Sequence, residues 1–168
     1  RELDLFLAPW DILGTLAHIR MLATIDLLSA AELNSLQSEL KHIYQSTLEG
    51  NFTIPPGVED VHSQVEQMLT ERLGDMGKKV HSGRSRNDQV LVDLKLYFLS
   101  NIQELVELIQ QLFGTLLELS ARYKEILIPG YTHFQVAMPS SFGLWFGAYA
   151  ESLIDDVIML QAAWKVAD

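Results

Sequence analysis

The densest chemistry in the chain lies in the run His81-Ser82-Gly83-Arg84-Ser85-Arg86-Asn87-Asp88-Gln89, where every residue is polar or glycine. An apolar stretch of helical period begins at Val90, so these side chains gather at a helix N-terminus. The first N–H groups of a helix lack partners and its dipole is positive there, which draws anions. Arg84 and Arg86 add planar forks of donors that match a carboxylate or a phosphate two bonds at a time. A solvated, well-capped loop is the plainer account of a polar run. Here donors far outnumber acceptor-only side chains, and the pattern points to an anion site.

Two further polar clusters interrupt helical sequence. Pro129-Gly130-Tyr131-Thr132-His133-Phe134-Gln135 offers a hydroxyl and an imidazole on a short, Pro-bounded connection. A histidine titrates at about pH 6.5 and can move a proton, although one that caps a helix or bonds backbone is the ordinary alternative. The other cluster is Asp11, Gly14, Thr15 and His18, with Asp60 and His62 similar in type. Asp60 and His62 stand two apart, which does not place both on one helix face, so a metal pair is disfavoured. Gly-rich nucleotide loops and a Gly-x-Ser-x-Gly nucleophile are absent from the sequence.

Helices must position these groups, because almost every long segment has helical period and no clear period-2 run stands out. Ile12, Leu13, Leu16, Ile19, Leu22 and Ile25 mark a first helix from about Pro9 to Leu28. Ser29 and Glu32 have capping-box spacing and open a second, with Leu33, Leu36, Leu40, Ile43 and Leu48 inward and Gly50 as its stop. Phe52 to Gly57 reads as a loop, and Glu59 and Asp60 suit the first turn of a third helix carrying Val61, Val65, Met68, Leu69 and Leu73. From Asn87 to Leu127 the pattern is unbroken, which at 1.5 Å per residue is a helix of roughly 60 Å. Another long helix is expected from Pro139 to the last residue. Trp145, Phe146, Leu144 and Tyr149 wrap its circumference, which calls for deep burial in a bundle. Two such helices cannot bury their faces on each other alone, so further helices or subunits are required. The expected fold class is all-α: a small N-terminal helical domain over 1–80, then the first long helices of a central bundle over 81–168.

Composition narrows the function. The chain has 168 residues, 48% apolar, enough for a packed core. It has no cysteine, which removes disulfides and thiol chemistry and fits a reducing compartment. The formal net charge of −10 argues against a nucleic-acid or anionic-membrane binder. An anionic ligand must then be held by a local cluster, of which Lys78, Lys79, Arg84 and Arg86 is the densest. The stretch between Glu125 and Glu151 lacks Asp, Glu, Lys and Arg, but its prolines and polar residues break the run of about 20 apolar residues a span requires.

The string from His81 to Val90 is similar to the motif of the argininosuccinate lyases, in the fumarase/aspartase superfamily. Pro129–Gln135, Glu59–His62 and Asp11–Leu22 resemble three more motifs of that family, in the same order. The resemblance implies a lyase that splits argininosuccinate into arginine and fumarate by β-elimination, in arginine biosynthesis, with no cofactor and no metal. It assigns substrate contacts to Thr15, Asp60, Ser85, Arg86, Asn87 and Gln135, with Asp60 meeting the guanidinium end. Thr132 would contact a carboxylate and His133 would assist proton transfer. Two charges develop on a carboxylate as the aci-carboxylate forms, so donors preorganised there lower the barrier.

Some positions depart from the family pattern. Ser82 stands for Thr and Thr15 for Ser, while Val136-Ala137-Met138-Pro139 replaces Arg-Ala-Gln-Pro and lowers polarity beside His133. The family's Gly-Ser-Ser-x-Met-Pro-x-Lys loop, which bears the serine base, does not occur before Asp168. The resemblance therefore implies an N-terminal portion that lacks lyase activity by itself. It further implies a cytoplasmic homotetramer with active sites built from three subunits, and no nucleic-acid or membrane partner. The alternatives are a related lyase acting on another succinyl-amine, a crystallin-like scaffold without catalysis, and a phosphate- or nucleic-acid-binding module using Lys78 to Arg86.

Overall fold

The computed structural model describes residues 2–168. The chain divides into two compact units, one running to Tyr97 and the other covering Phe98–Asp168.

The first unit is built on three helices: α1 (Ala8–Thr24), α2 (Ala30–Leu48) and α3 (Val61–Leu73). Their apolar positions meet in one core of Ile12, Ile19, Leu22, Leu36, Leu40, Ile43, Val61, Val65 and Leu69, none more than 1% exposed. Burial of each such side chain contributes about 1.5–3 kcal/mol. Leu13 and Ile25 turn outward instead, so the inward stripe of α1 is narrower than its composition suggests. Pro9 lies in the first turn of α1, where a missing N–H costs nothing. The capping box of α2 forms as its spacing predicts. Ser29 Oγ accepts from the Glu32 N–H at 3.3 Å, and Glu32 Oε2 accepts from the Ser29 N–H at 2.8 Å. Gly74, at φ +62°, ends α3 and turns the chain into a short α4 (Asp75–Lys78) and a 3-10 turn over Lys79–His81. Gly77 lets α4 press onto α3, because a Cβ there would fall 2.5 Å from the Leu69 carbonyl carbon.

A long helix, α5 (Arg86–Tyr123), begins in the first unit and continues into the second. The second unit adds a hairpin of β1 (Leu127–Thr132) and β2 (Gln135–Ser141), then α6 (Phe142–Ala167). The strands are antiparallel, with Thr132 opposite Gln135 and Pro129 opposite Pro139. The hairpin corrects the expected helix start at Pro139. Proline cannot donate to a ladder and sits here on the rim of a two-stranded sheet with an irregular register. The helix starts three residues later, where Ser141 Oγ accepts from the Leu144 N–H at 3.2 Å. The fold class remains all-α apart from this hairpin.

Trp145, Leu144 and Tyr149 are 48%, 68% and 54% exposed, not deeply buried as their clustering suggests. The second unit contains only α6 and part of α5 as helices, too few to enclose a face that is apolar all round. A groove of about 250 Å³ between these helices is lined by Val106, Ile109, Phe113, Leu153, Ile154 and Val157. Among the described residues no helix is long and apolar enough to cross a membrane.

Candidate active site

One face of α1 carries Asp11, Gly14, Thr15 and His18, which meet α3, α5 and the polar run before α5. Asp11 Oδ1 accepts from His62 Nδ1 at 2.6 Å and also from the side-chain amide of Gln89. Gly14 faces α5, where a Cβ would make ordinary contact with Val92 Cγ1 at 3.4 Å and Asp93 Oδ1 at 3.5 Å. Thr15 Oγ1 accepts from Arg84 Nη2 at 3.0 Å, and His18 Nε2 donates to the Ser82 carbonyl at 3.0 Å. The spacing of 11, 14, 15 and 18 thus pins the polar run before α5 onto α1. Asp11, Thr15 and Asp93 are wholly buried, and His62 and Gln89 nearly so.

The electrostatics of this cluster follow from burial and neighbours. Burial opposes a charge on His62, but the bond to Asp11 and the fields of Asp11, Asp93 and Asp60 overcome it and raise its pKa. Burial pushes the Asp93 carboxyl up to about 7, and neighbouring Asp11 pushes the same way. His81 is held low by burial and by the Arg84 guanidinium, whose Nη2 donates to His81 Nδ1 at 3.2 Å. Burial lowers the pKa of Arg84 itself, against the pull of Asp11 and Asp93.

Beyond the buried layer the donors face a cleft. Arg86 opens α5, and its Nη1 donates to Asp60 Oδ2 at 2.7 Å and Glu59 Oε2 at 3.1 Å, while Nη2 donates to Ser63 Oγ at 3.2 Å. Asp60 also caps α3, accepting from the Ser63 N–H at 2.8 Å. Burial works against its charge, but Ser63 and Arg86 outweigh it and hold its pKa below the usual range. Ser85 caps α5: its Oγ accepts from the Asn87 N–H at 3.2 Å and its N–H donates to Asp88 Oδ2 at 3.3 Å. A cavity of about 160 Å³ lies here, lined by His62, Glu66, His81, Arg84, Arg86 and Gln89. Four of the six can carry positive charge, in a chain of net charge −10. Such a pocket suits an anionic small molecule better than a neutral one.

Of the site residues the sequence suggests, the first unit links Thr15 to the polar run through Arg84 and links Asp60 to Arg86. Ser85, Arg86 and Asn87 stand exposed at the start of α5. Thr132, His133 and Gln135 belong to the second unit, with exposed side chains at the hairpin tip. His133 and Phe134 form the two-residue turn, at φ +50° and +63°. Sequence reasoning misses Asp93, Gln89 as a buried donor, and Glu66. Asp93 has a signal, an acid in the otherwise apolar run Val90-Leu91-Val92-Asp93-Leu94, four residues after Gln89.

Asp11, His62 and Asp93 are also where a metal ion would find ligands, their donor atoms lying within 4.8 Å of one another. The same space is already served by the Arg84 guanidinium and a His62 ring that donates to Asp11, which supply the countercharge two carboxylates need. The donor set fits a metal poorly.

A model of the family described as lyase matches residues 5–167. An argininosuccinate lyase of Parabacteroides distasonis is 64% identical over 168 residues, all of this chain and 38% of that protein. The argininosuccinate lyase of Bacteroides fragilis is 63% identical over the same length, again 38% of the protein. That of a Thermoanaerobacter species is 43% identical over 162 residues, 96% of this chain and 36% of its own. The chain thus spans under two-fifths of the length of these relatives. Among solved structures, an EDDS lyase variant with bound fumarate superposes with a TM-score of 0.81 at 19% identity, over 98% of this chain and 32% of that one. A fumarate lyase:delta crystallin from Brucella melitensis gives 0.79 at 17% identity, over 98% and 41%. At such identities the structural likeness speaks for the fold.

Proposed function

The chain belongs to the lyase family, and from that premise we propose that it is the substrate-gripping portion of an argininosuccinate lyase. The observation that carries this reading is the whole-chain identity to argininosuccinate lyases, which takes in the donor-rich string His81 to Val90. The cationic cleft at the mouth of α5 supports it physically.

Argininosuccinate pairs a succinyl group with a guanidinium, so its site needs cations at one end and a carboxylate at the other. Arg86, Ser85 and Asn87 hold a succinyl carboxylate, which competes with Glu59 and Asp60 for the Arg86 fork. Asp60, freed from that pair, meets the guanidinium end. Thr15 bears on the substrate through Arg84, from whose Nη2 it accepts. Thr132 and Gln135 contact the substrate from the hairpin, and His133 assists proton transfer, a role worth roughly 10²–10⁴-fold. Removal of the proton beside the carboxylate places a second negative charge on it, and donors that tighten then lower the barrier before the C–N bond breaks. The base that takes this proton is not among the residues described. No cofactor enters this scheme.

We read residues 1–80 as the N-terminal helical domain and 81–168 as the opening helices of a central bundle. The exposed apolar faces of α5 and α6, with Leu105, Leu112, Trp145 and Ile158 between 44% and 58% exposed, favour a homo-oligomer, taken as a tetramer in the cytoplasm.

The test is fumarate release, followed by absorbance, from argininosuccinate and separately from adenylosuccinate, using a full-length protein that carries these residues. Turnover of argininosuccinate alone, lost by about 10²–10³-fold in Arg86→Ala with the assembly intact, is expected. Turnover of adenylosuccinate in its place would assign another succinyl-amine. No turnover of either would make the chain a scaffold.

A further inference from the structure

We propose that Asp93 is a positioning residue: with Asp11 it forms the buried carboxylate pair that holds His62 and Arg84, and so sets where Ser85, Arg86 and Asn87 present their donors. The inference rests on the proposed function for its consequence in catalysis, though not for its geometry.

Asp93 is wholly buried, yet neither of its carboxylate oxygens has a hydrogen-bond partner. Its Oδ2 lies 3.7 Å from His62 Nδ1, and its Oδ1 faces the bare Gly14. Arg84 Nε, also buried, has no hydrogen-bond partner either. Each orphaned buried polar group is costly, on the order of 1–3 kcal/mol, and an apolar residue of similar size at position 93 would serve stability better. An acid nonetheless occupies the position, 3.7 Å from His62 Nδ1 and within the field of Arg84.

The mechanical link is short. Asp93 and Gln89 are one turn apart on α5, and Gln89 donates to Asp11. Asp11 accepts from His62, the third residue of the Asp60–His62 stretch that clamps Arg86. On the other side, Arg84 runs from the field of Asp11 and Asp93 out to Thr15 and His81, and the next residues are Ser85, Arg86 and Asn87. The groups facing Asp93 are Asp11 on α1, His62 on α3 and Arg84 before α5, with Asp4 adding its field from before α1. Without the Asp93 carboxyl, His62 and Arg84 share Asp11 as the buried carboxylate of this pocket, and the polar run loses a fixed anchor.

Asp93→Asn in the full-length protein tests this with two readouts. One is fumarate release from argininosuccinate across pH. The other is hydrogen exchange at the amides of residues 82–88, which needs no activity. A roughly 10- to 100-fold fall in kcat/KM is expected, the order that a misplacement of about 1 Å gives, together with loss of an ionisation near neutral pH from the rate profile. Faster exchange over 82–88 is expected with the core amides of α1 to α3 unchanged. Catalytic efficiency equal to wild type, or exchange that rises everywhere alike, would overturn the proposal. Should Asp93→Asn fail to fold, Asp93→Glu keeps the charge but moves it by one methylene, and the same two readouts decide. If the wild-type protein releases no fumarate, the proposed function falls, and the exchange data alone judge the anchor.

Discussion

His62 Nδ1 stands 2.6 Å from Asp11 Oδ1, joining residues 51 apart in sequence, with His62 4% exposed and Asp11 not at all. Two carboxylates share this pocket, since Asp93 Oδ2 lies 3.7 Å from the same ring nitrogen. Replacing His62 by Ala takes one of the two cations away and leaves Asp11 and Asp93 facing each other. The expected loss of unfolding free energy is about 3–5 kcal/mol, the scale for stripping one partner from a buried ion pair. Urea denaturation of the first unit measures it. A loss below about 1 kcal/mol would mean the pair is not charged as described.

The same pocket sets the pH dependence of stability. Asp93 has a folded-state pKa of about 7, raised by burial, against about 3.9 when unfolded. A carboxyl raised on folding gives stability that is complete below its unfolded value and is lost as pH rises through its folded value. His62, also raised, has the same sign: its contribution is full below about pH 6.5 and fades above. Unfolding free energy should therefore fall by about 1 kcal/mol or more between roughly pH 6 and pH 8. In Asp93→Asn the fall should shrink, because asparagine does not titrate. Denaturation curves at both pH values check it, and stability that rises over this window would contradict the assignment.

The capping box at Ser29 and the inward stripes of α2 and α3 were legible because each depends on residues a few positions apart, except that Leu48, at the C-terminal end of α2, is 59% exposed and not inward. The place of the donor-rich run at the start of α5 was legible for the same reason, since a polar run ahead of an apolar helical period is a local property. Asp93 shows locally only as an acid in an apolar run; its full burial depends on residues distant in sequence, which no short window holds. The hairpin was missed for another reason: its strands carry two prolines and face solvent on most positions, so no apolar alternation marks them. The exposure of Trp145 marks where a local rule, apolar all round and therefore buried, needs partners that the second unit does not contain.

Two glycines with the same chemistry should respond in opposite ways. In Gly77→Ala the new Cβ would fall 2.5–2.6 Å from backbone atoms of Leu69 and Thr70, which cannot rotate away. α4 must lift from α3, at a cost of roughly 1–3 kcal/mol. Gly114, in the interior of α5, has nothing within 4 Å, so Gly114→Ala should stabilise by up to about 1 kcal/mol from helix propensity alone. Thermal melts of the two variants should move apart. If both rise, the close approach of α4 to α3 is wrong.

The hairpin tip carries backbone strain at His133, for which a proton-transfer role is proposed, and at its neighbour Phe134. His133 and Phe134 both have positive φ, +50° and +63°, in a two-residue turn that Asn-Gly occupies far more readily. Phe134 is fully exposed, so its side chain gains nothing from packing within this chain to offset the strain. A left-handed conformation costs a residue with a Cβ about 1–2 kcal/mol, and Phe134→Gly should recover about 1 kcal/mol of it once the greater freedom of unfolded glycine is counted. Strain of this kind persists where function requires the residue, and the direction of inference runs from the outlier to the role. If Phe134 holds His133 at its working angle, Phe134→Gly should raise the melting temperature of the full-length protein while lowering its catalytic efficiency on argininosuccinate. A variant that melts higher and turns over normally would show that the turn is strained for no catalytic reason. One that melts lower would show that Phe134 packs against a surface outside this chain.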